Sequence, residues 1–143
     1  MGELMENMNK AEYLAFLSVP ARCAKLATVR EDGRPHVVPV WFTLDGEHVI
    51  FTAGHTSVKV RNILRDGRVA ICVDEDSPPF HYVLLEGRAE VLDDSVEAAR
   101  YWGAIIGGRY MGLERADEFG RRAEGEWVMR MIPEKIIAYK NVV

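Results

Sequence analysis

Apolar residues fall in short runs along this chain, and turn dipeptides separate the runs at regular intervals. CAKLATVR at 23–30 reads as a strand, and EDGRP at 31–35, with Asp32-Gly33 at its centre, as a hairpin turn. The next run, 36–44, is apolar on both faces through Val37, Val38, Val40, Trp41 and Phe42. Burial on two sides suits a barrel or an interface strand better than an open sheet with one wet face. Pro39 sits in its middle. Proline cannot donate to a ladder, so it marks an edge or a local break in pairing, where backbone groups are free for another partner. Asp45-Gly46 makes a second hairpin, and HVIFTA at 48–53 is its return strand.

The period then changes. SVKVRNILRDG at 57–67 reads as a helix with Val60, Ile63 and Leu64 as its buried stripe and Gly67 as its C-cap. Upstream, residues 9–18 predict a short helix after an Asn9 cap, with Ala11, Leu14 and Leu17 at helical spacing, lidding a barrel end until Pro20 stops it. RVAICVD at 68–74 is a strand, 75–79 a loop with two prolines, and 80–93 a long strand in which Gly87 allows a bend or bulge. Asp93-Asp94-Ser95 caps a helix over 96–107, where Val96, Ala99, Gly103 and Ile106 follow heptad-like spacing. Gly107-Gly108 is expected to end or kink it and to leave Arg109, Tyr110 and Met111 in a connecting segment. A charged helix over 114–122 follows, then a strand over 126–140 that starts at Trp127 and turns near Pro133.

Six or seven strands, mostly in hairpins, with helices inserted after the third strand and before the last, describe a mainly β chain. The expected architecture is an antiparallel barrel decorated by helices, as one domain over residues 1–143. The apolar fraction of 48% and charged fraction of 28% suit an ordinary globular domain. A net charge of −4 does not advertise nucleic-acid binding. No run reaches the length of a membrane span and no signal-peptide pattern opens the chain, so a cytoplasmic location is expected. Cys23 and Cys72 stand apart, without metal-ligand spacing, and read as buried free thiols in preference to a disulfide. His36, His48, His55 and His81 form no metal-binding group, so no metal is expected.

One stretch breaks a local rule. Helix N-termini carry partial positive charge and disfavour cations, yet Thr56-Ser57 is followed at once by Lys59 and Arg61. The conflict disappears if an anion is bound, since free N–H groups, a hydroxyl and an ammonium then point at one phosphate. A solvated basic face covered by Lys59, Arg61, Asn62 and Arg65 is the other reading. No GxGxxG or GxxxxGK[ST] is present, and Ser57 lacks the flanking glycines of a nucleophile elbow. Glu86 and Glu90 read as a solvated strand face sooner than as a catalytic pair. Arg109 beside Tyr110 meets either an acidic substrate or a surface carboxylate.

The order of motifs ATVREDGRPHVVPVWF, VIFTAGHTSVKVRNILRDGRVAICVD and LLEGRAEVL resembles the flavin/deazaflavin oxidoreductase superfamily, whose fold is the split β-barrel of pyridoxamine 5'-phosphate oxidase. The likeness spans roughly residues 20–140, and HVVPVWF with the RYMG segment at 109–112 resembles the branch that depends on coenzyme F420, a deazaflavin. The resemblance implies that Val38, Pro39, Val40 and Trp41 border the ring through backbone groups. It implies that Phe51 and Thr52 lie by the ribityl chain, and that Ser57 and Lys59 hold the phosphate with Arg61 and Asn62 close by. It further implies a homodimer with two cofactor sites at the interface, which Tyr82 and Trp127 approach from the partner chain.

The implied function is reduction of an unsaturated small molecule by hydride from reduced F420, with no assigned catalytic side chain. FMN in the same fold is the nearest alternative, and a non-catalytic flavin or haem carrier another. A haem would draw on His36, His55 or His81. The oligoglutamate tail of F420, absent from FMN, would favour basic residues such as Arg61 and Arg65 along its exit. Ser57 stands where some relatives carry a base. The C-terminus also lacks the tryptophan- and arginine-bearing signature of pyridoxamine phosphate oxidases, so oxidation of that substrate is not expected.

Overall fold

The structure, a computed structural model, describes residues 6–20 and 22–142. Among them are eight strands: β1 (Glu6–Asn7), β2 (Ala24–Val29), β3 (Pro35–Val40), β4 (Thr43–Asp45), β5 (His48–Gly54), β6 (Arg68–Asp74), β7 (Tyr82–Asp93) and β8 (Glu126–Lys140). Four α-helices accompany them: α1 (Lys10–Ser18), α2 (Val58–Arg65), α3 (Val96–Met111) and α4 (Ala116–Arg122). All pairings are antiparallel, in the order β3-β2-β6-β7-β8-β5-β4, with β1 on the far end of β8. This is the expected split barrel, a strongly curled sheet whose two edges are left unjoined.

Those edges, β3 and β4, are neighbours in the chain. Only Trp41 and Phe42 lie between them, so the expected single strand over 36–44 is broken there. Two residues carry the backbone across the split. The two-sided burial expected of this run is likewise absent within one chain: Val40 is buried, but Val37 is 64% exposed on the outer face beside exposed Pro39.

The turns follow the chemistry of their residues. Gly33 and Gly46 hold φ of 86° and 61°, which glycine adopts without a Cβ penalty, and each closes a hairpin. Gly87 faces β8 where a Cβ would meet the Ile132 carbonyl oxygen at 2.1 Å. The register shifts there, Glu86 pairing Lys135 and Gly87 pairing Pro133, so Glu134 bulges and β8 bends without ending. A second shift, between Val91 and Asp93, leaves Leu92 as the extra residue on β7.

The barrel interior holds the main core, in which Phe42, Phe51, Leu26, Ile71, Leu85, Met129 and Met131 are fully buried. Side chains of this kind contribute roughly 1.5–3 kcal/mol each on burial. Phe16 and Leu17 of α1 reach into it; the helix opens on Asn9, whose side chain accepts from the Glu12 N–H at 2.8 Å while Glu12 accepts from the Asn9 N–H at 3.0 Å. A smaller cluster of Ile50, Ala99 and Val128, with Trp102 against it, seats α3 on the outer face of β5 and β8.

Three helical expectations are corrected. In α2, Val60 and Ile63 are buried as expected, but Leu64 is 59% exposed and Asn62 is buried instead. The C-cap of α2 is Asp66, not Gly67, whose missing side chain lets it pass the Ala89 carbonyl oxygen. Helix α3 runs through Gly107-Gly108 to Met111 and ends at Gly112, with φ of 106°. The glycines serve close approach rather than termination: a Cβ on Gly103 would lie 2.4 Å from that of Ala123, and one on Gly120 would lie 2.8 Å from the Arg100 carbonyl oxygen. They let α3 and α4 pack as a tight hairpin over the sheet.

Candidate functional site

Between this hairpin and the outer face of the sheet lies a cavity of about 350 Å³. One wall is the end of β3 and the crossing, Pro39, Val40 and Trp41; a second is Thr52 of β5 and Glu126 of β8; Lys59 enters from the first turn of α2. The helical hairpin closes it with Gly103, Ile106, Gly107, Phe119, Arg122 and Ala123. Residues from six separate elements thus meet around one space.

Its aromatic side is locked. Trp41 lies flat on Tyr110, with 4.9 Å between ring centroids and 4° between planes, and Phe119 leans on Trp41 at 5.6 Å. Tyr110 is anchored in turn: its hydroxyl donates to the Arg22 carbonyl oxygen at 2.6 Å and accepts from the Phe42 N–H at 3.3 Å. Burial raises the pKa of this phenol above its ordinary value. Arg109 donates to the Leu17 and Val19 carbonyl oxygens at 2.6 and 3.3 Å, behind the C-terminus of α1, and pairs with no carboxylate among the described residues.

The polar side is mixed. Thr52 Oγ1 donates to Glu126 Oε1 at 2.9 Å, which leaves lone pairs of the hydroxyl free as acceptors. Opposite, Arg115 grips Glu118 with two parallel bonds of 2.9 Å, and Arg122 shares the same carboxylate at 2.5 Å. The hydrogen bond from Arg115 is the main reason the Glu118 carboxyl sits below its ordinary pKa. Both guanidinium groups also lie over the Phe119 ring, at 5.0 and 4.7 Å.

Of the residues expected at a site, Pro39, Val40, Trp41, Thr52 and Lys59 are brought together here. Ser57 caps α2 just behind Lys59, its hydroxyl donating to the Gly54 carbonyl oxygen at 2.7 Å and accepting from the Val60 N–H at 3.4 Å. Arg61 and Asn62 line a neighbouring cavity of about 430 Å³ with Arg30, Arg34 and Arg65. Asn62 is buried and donates to Thr28 Oγ1 at 3.0 Å, while accepting from Arg65 at 3.2 Å, so its amide braces α2 against β2.

The side chains of the others pack elsewhere within this chain. Val38 packs on the main core, and the Phe51 side chain is wholly inside it. Trp127 stacks on His55, 5.3 Å between centroids, and Tyr82 packs on Tyr139. Of the other histidines, His81 accepts from the Asn141 N–H at 3.1 Å and His36 has its Nδ1 buried without a hydrogen-bond partner. Cys23 and Cys72 are free, half-buried thiols, and burial raises the pKa of Cys72. Phe119, Arg122 and Glu126 were not singled out from sequence. Their signal is tertiary: a charged helix and a strand start give no hint of converging on Trp41.

An antiparallel split barrel with an aromatic and cationic cavity on its outer face is what these features define. The chain belongs to the pyridoxamine 5'-phosphate oxidase family, whose profile matches residues 10–140. An F420H(2)-dependent biliverdin reductase of Mycobacterium tuberculosis is 41% identical over 93 residues, which make up 62% of this chain and 63% of that protein. The chain therefore spans less than two thirds of that relative. The crystal structure of a conserved hypothetical protein of Mycobacterium tuberculosis has the same fold, with a TM-score of 0.83 at 24% identity, covering 94% of this chain and 86% of that one. An F420 reductase structure superposes with a TM-score of 0.63 at 27% identity, over 85% and 93% of the two chains. Among the described residues no helix is long and apolar enough to cross a membrane.

Proposed function

We propose that this protein is an oxidoreductase that uses reduced coenzyme F420 to reduce an unsaturated small molecule, working as a homodimer with the cofactor at the interface. The observation that carries the reading is the meeting of Pro39, Val40, Trp41, Thr52 and Lys59, from β3 and the crossing, β5 and α2, around one cavity. Their chemistry fits the cofactor: a flat ring needs the locked Trp41 wall and the backbone of an unpaired strand edge, and a phosphate needs Lys59 at the opening of a capped helix. Reduced F420, when bound, supplies a hydride to the acceptor. The chain's residues bind, orient and exclude water. Trp41 cannot tilt while Tyr110 backs it, Lys59 fixes one end of the ligand, and the α3–α4 hairpin keeps solvent from the ring.

F420 is favoured over FMN by two supports. The 41% identical relative bears F420 in its name. Beside Lys59, the four arginines of the second cavity also exceed its two acids, Glu31 and Asp32, which suits a tail of carboxylates. Titration of the purified protein with F420 and, separately, FMN, followed by tryptophan fluorescence, tests the reading. Tight F420 binding that Lys59→Ala weakens by tenfold or more is expected, on the order of a lost charge-assisted bond. Binding of FMN alone, or indifference to Lys59→Ala, overturns it.

A further inference from the structure

We infer that the cavity admits a phosphodiester and turns away a phosphomonoester, and that Glu126 is the residue that makes the distinction. The inference rests on the reading above and deepens it, from which cofactor is bound to how its phosphate is told apart. Its starting point is a carboxylate that seems out of place for the charge of the ligand. Glu126 lines a cavity read as holding an anionic cofactor, where a fixed negative charge repels that ligand. Nor does it serve to neutralise Lys59: the two side chains line one space, yet no ion pair joins them among the described residues. Thr52 Oγ1 instead donates to Glu126 Oε1 at 2.9 Å and ties the carboxylate to the wall formed by β5 and β8.

Charge selection gives this carboxylate a use. A phosphodiester, the linkage within F420, carries one negative charge at neutral pH, whereas a phosphomonoester such as that of FMN carries about 1.5–2. The penalty for taking an ion out of water rises with the square of its charge, while its attraction to one cation rises only in proportion. A single ammonium therefore offsets a monoanion and falls short of a dianion. Lys59 is the cation left for the phosphate. Ser57 brings no charge, and its hydroxyl is engaged by the Gly54 carbonyl oxygen and the Val60 N–H. Arg122, the other cation that lines the cavity, shares Glu118 with Arg115 on the α4 wall. The arginines of the neighbouring cavity answer, in the reading above, the carboxylates of the tail. Against this single cation Glu126 sets a repulsion that doubles when the phosphate gains its second charge.

The test uses the deazaflavin 5'-phosphate contained in F420, once as the free monoester and once as its methyl ester. The two ligands share ring and polyol and differ by one ionisation. Binding is followed by tryptophan quenching between pH 8 and pH 5, across the second phosphate pKa of about 6. In the wild type the methyl ester is expected to bind about tenfold tighter at pH 8, and the gap closes toward pH 5, where both ligands carry one charge. Glu126→Gln keeps an oxygen for the Thr52 hydroxyl and removes only the charge. At pH 8 it raises the affinity of the methyl ester about threefold and of the monoester about tenfold, as a repulsion proportional to ligand charge requires. FMN gains as the monoester does.

A monoester bound as tightly as its methyl ester at pH 8 overturns the inference. So does a Glu126→Gln variant that raises both ligands equally or weakens both, since the carboxylate then serves another part of the cofactor. Failure of the underlying reading looks different: the wild type binds neither ester nor F420, and the inference falls with it.

Discussion

Phe119 occupies the space that a side chain at position 107 would need. A Cβ built on Gly107 comes 2.1 Å from the Cβ of Phe119 and 2.7 Å from its Cγ. The cavity's aromatic roof therefore depends on a hydrogen atom in the place of a side chain at Gly107, near the C-terminal end of α3. Gly107→Ala is expected to drive Phe119 off Trp41 and to cost about 1–3 kcal/mol, the usual range for overpacking. Gly54→Ala, which meets nothing within 4 Å, stays within about 0.5 kcal/mol. Denaturant unfolding of the two variants checks the contrast.

Tyr110→Phe keeps the stack on Trp41 but removes a hydroxyl that serves two backbone groups, the Arg22 carbonyl and the Phe42 N–H. Leaving partly buried polar groups unmet costs about 1–3 kcal/mol. The Phe42 N–H belongs to the crossing between the sheet edges, so stability falls and Trp41 emission shifts together. An unchanged unfolding midpoint counts against this account of the crossing.

Asn62 and Lys59 divide stability from binding although they are three residues apart. Asn62→Ala strands the buried Thr28 hydroxyl, while Arg65 keeps its bond to the Val29 carbonyl oxygen, and it is expected to lower stability by about 1–3 kcal/mol. Lys59→Ala removes a side chain for which no structural hydrogen bond or ion pair is found among the described residues, and it leaves the midpoint within about 0.5 kcal/mol. Thermal or denaturant melts of the cofactor-free variants separate the two.

How far the sequence reached depended on the range of the interaction. Asn9, Ser57 and Ser95 act on N–H groups three residues away, and each cap was legible from its own neighbours. The strand at 68–74 and both hairpins, at Asp32-Gly33 and Asp45-Gly46, were legible for the same reason. Gly107-Gly108 misled because a glycine pair ends a helix unless another helix presses on it, and nothing in the local sequence shows that α4 turns back to place Phe119 against Gly107. Leu64 and Asn62 exchanged places because Thr28, on β2, supplies the partner that makes a buried amide tolerable. Within the cavity, the rule-breaking Lys59 was readable, whereas Arg122 and Glu126 became meaningful only once α4 folded back on α3 and closed the space above β5 and β8.

Acid should weaken the α2–β6 junction. Asp66 accepts from the Arg68 N–H at 3.1 Å, from Nε at 3.0 Å and from Nη2 at 2.7 Å, and these bonds lower its pKa from 3.8 to about 2. The unfolded chain binds that proton more readily, so the contribution is fully present above 3.8 and is lost as pH falls through about 2. Asp66→Asn is accordingly less stable than the wild type at neutral pH, and the gap closes toward pH 2. Unfolding midpoints measured down the acid range check the direction; a gap that widens in acid contradicts it.

Strand β8 lies between β7 and β5, and apart from the two-residue crossing it is what joins the sheet's halves. It also follows every other strand in the chain. A chain still leaving the ribosome holds β3-β2-β6-β7 as one ribbon and β5-β4 as another, with the apolar faces of both open to water. The barrel cannot close before residues 126–140 have cleared the exit tunnel, and the interval before they do is the time when these apolar faces most need a chaperone's cover.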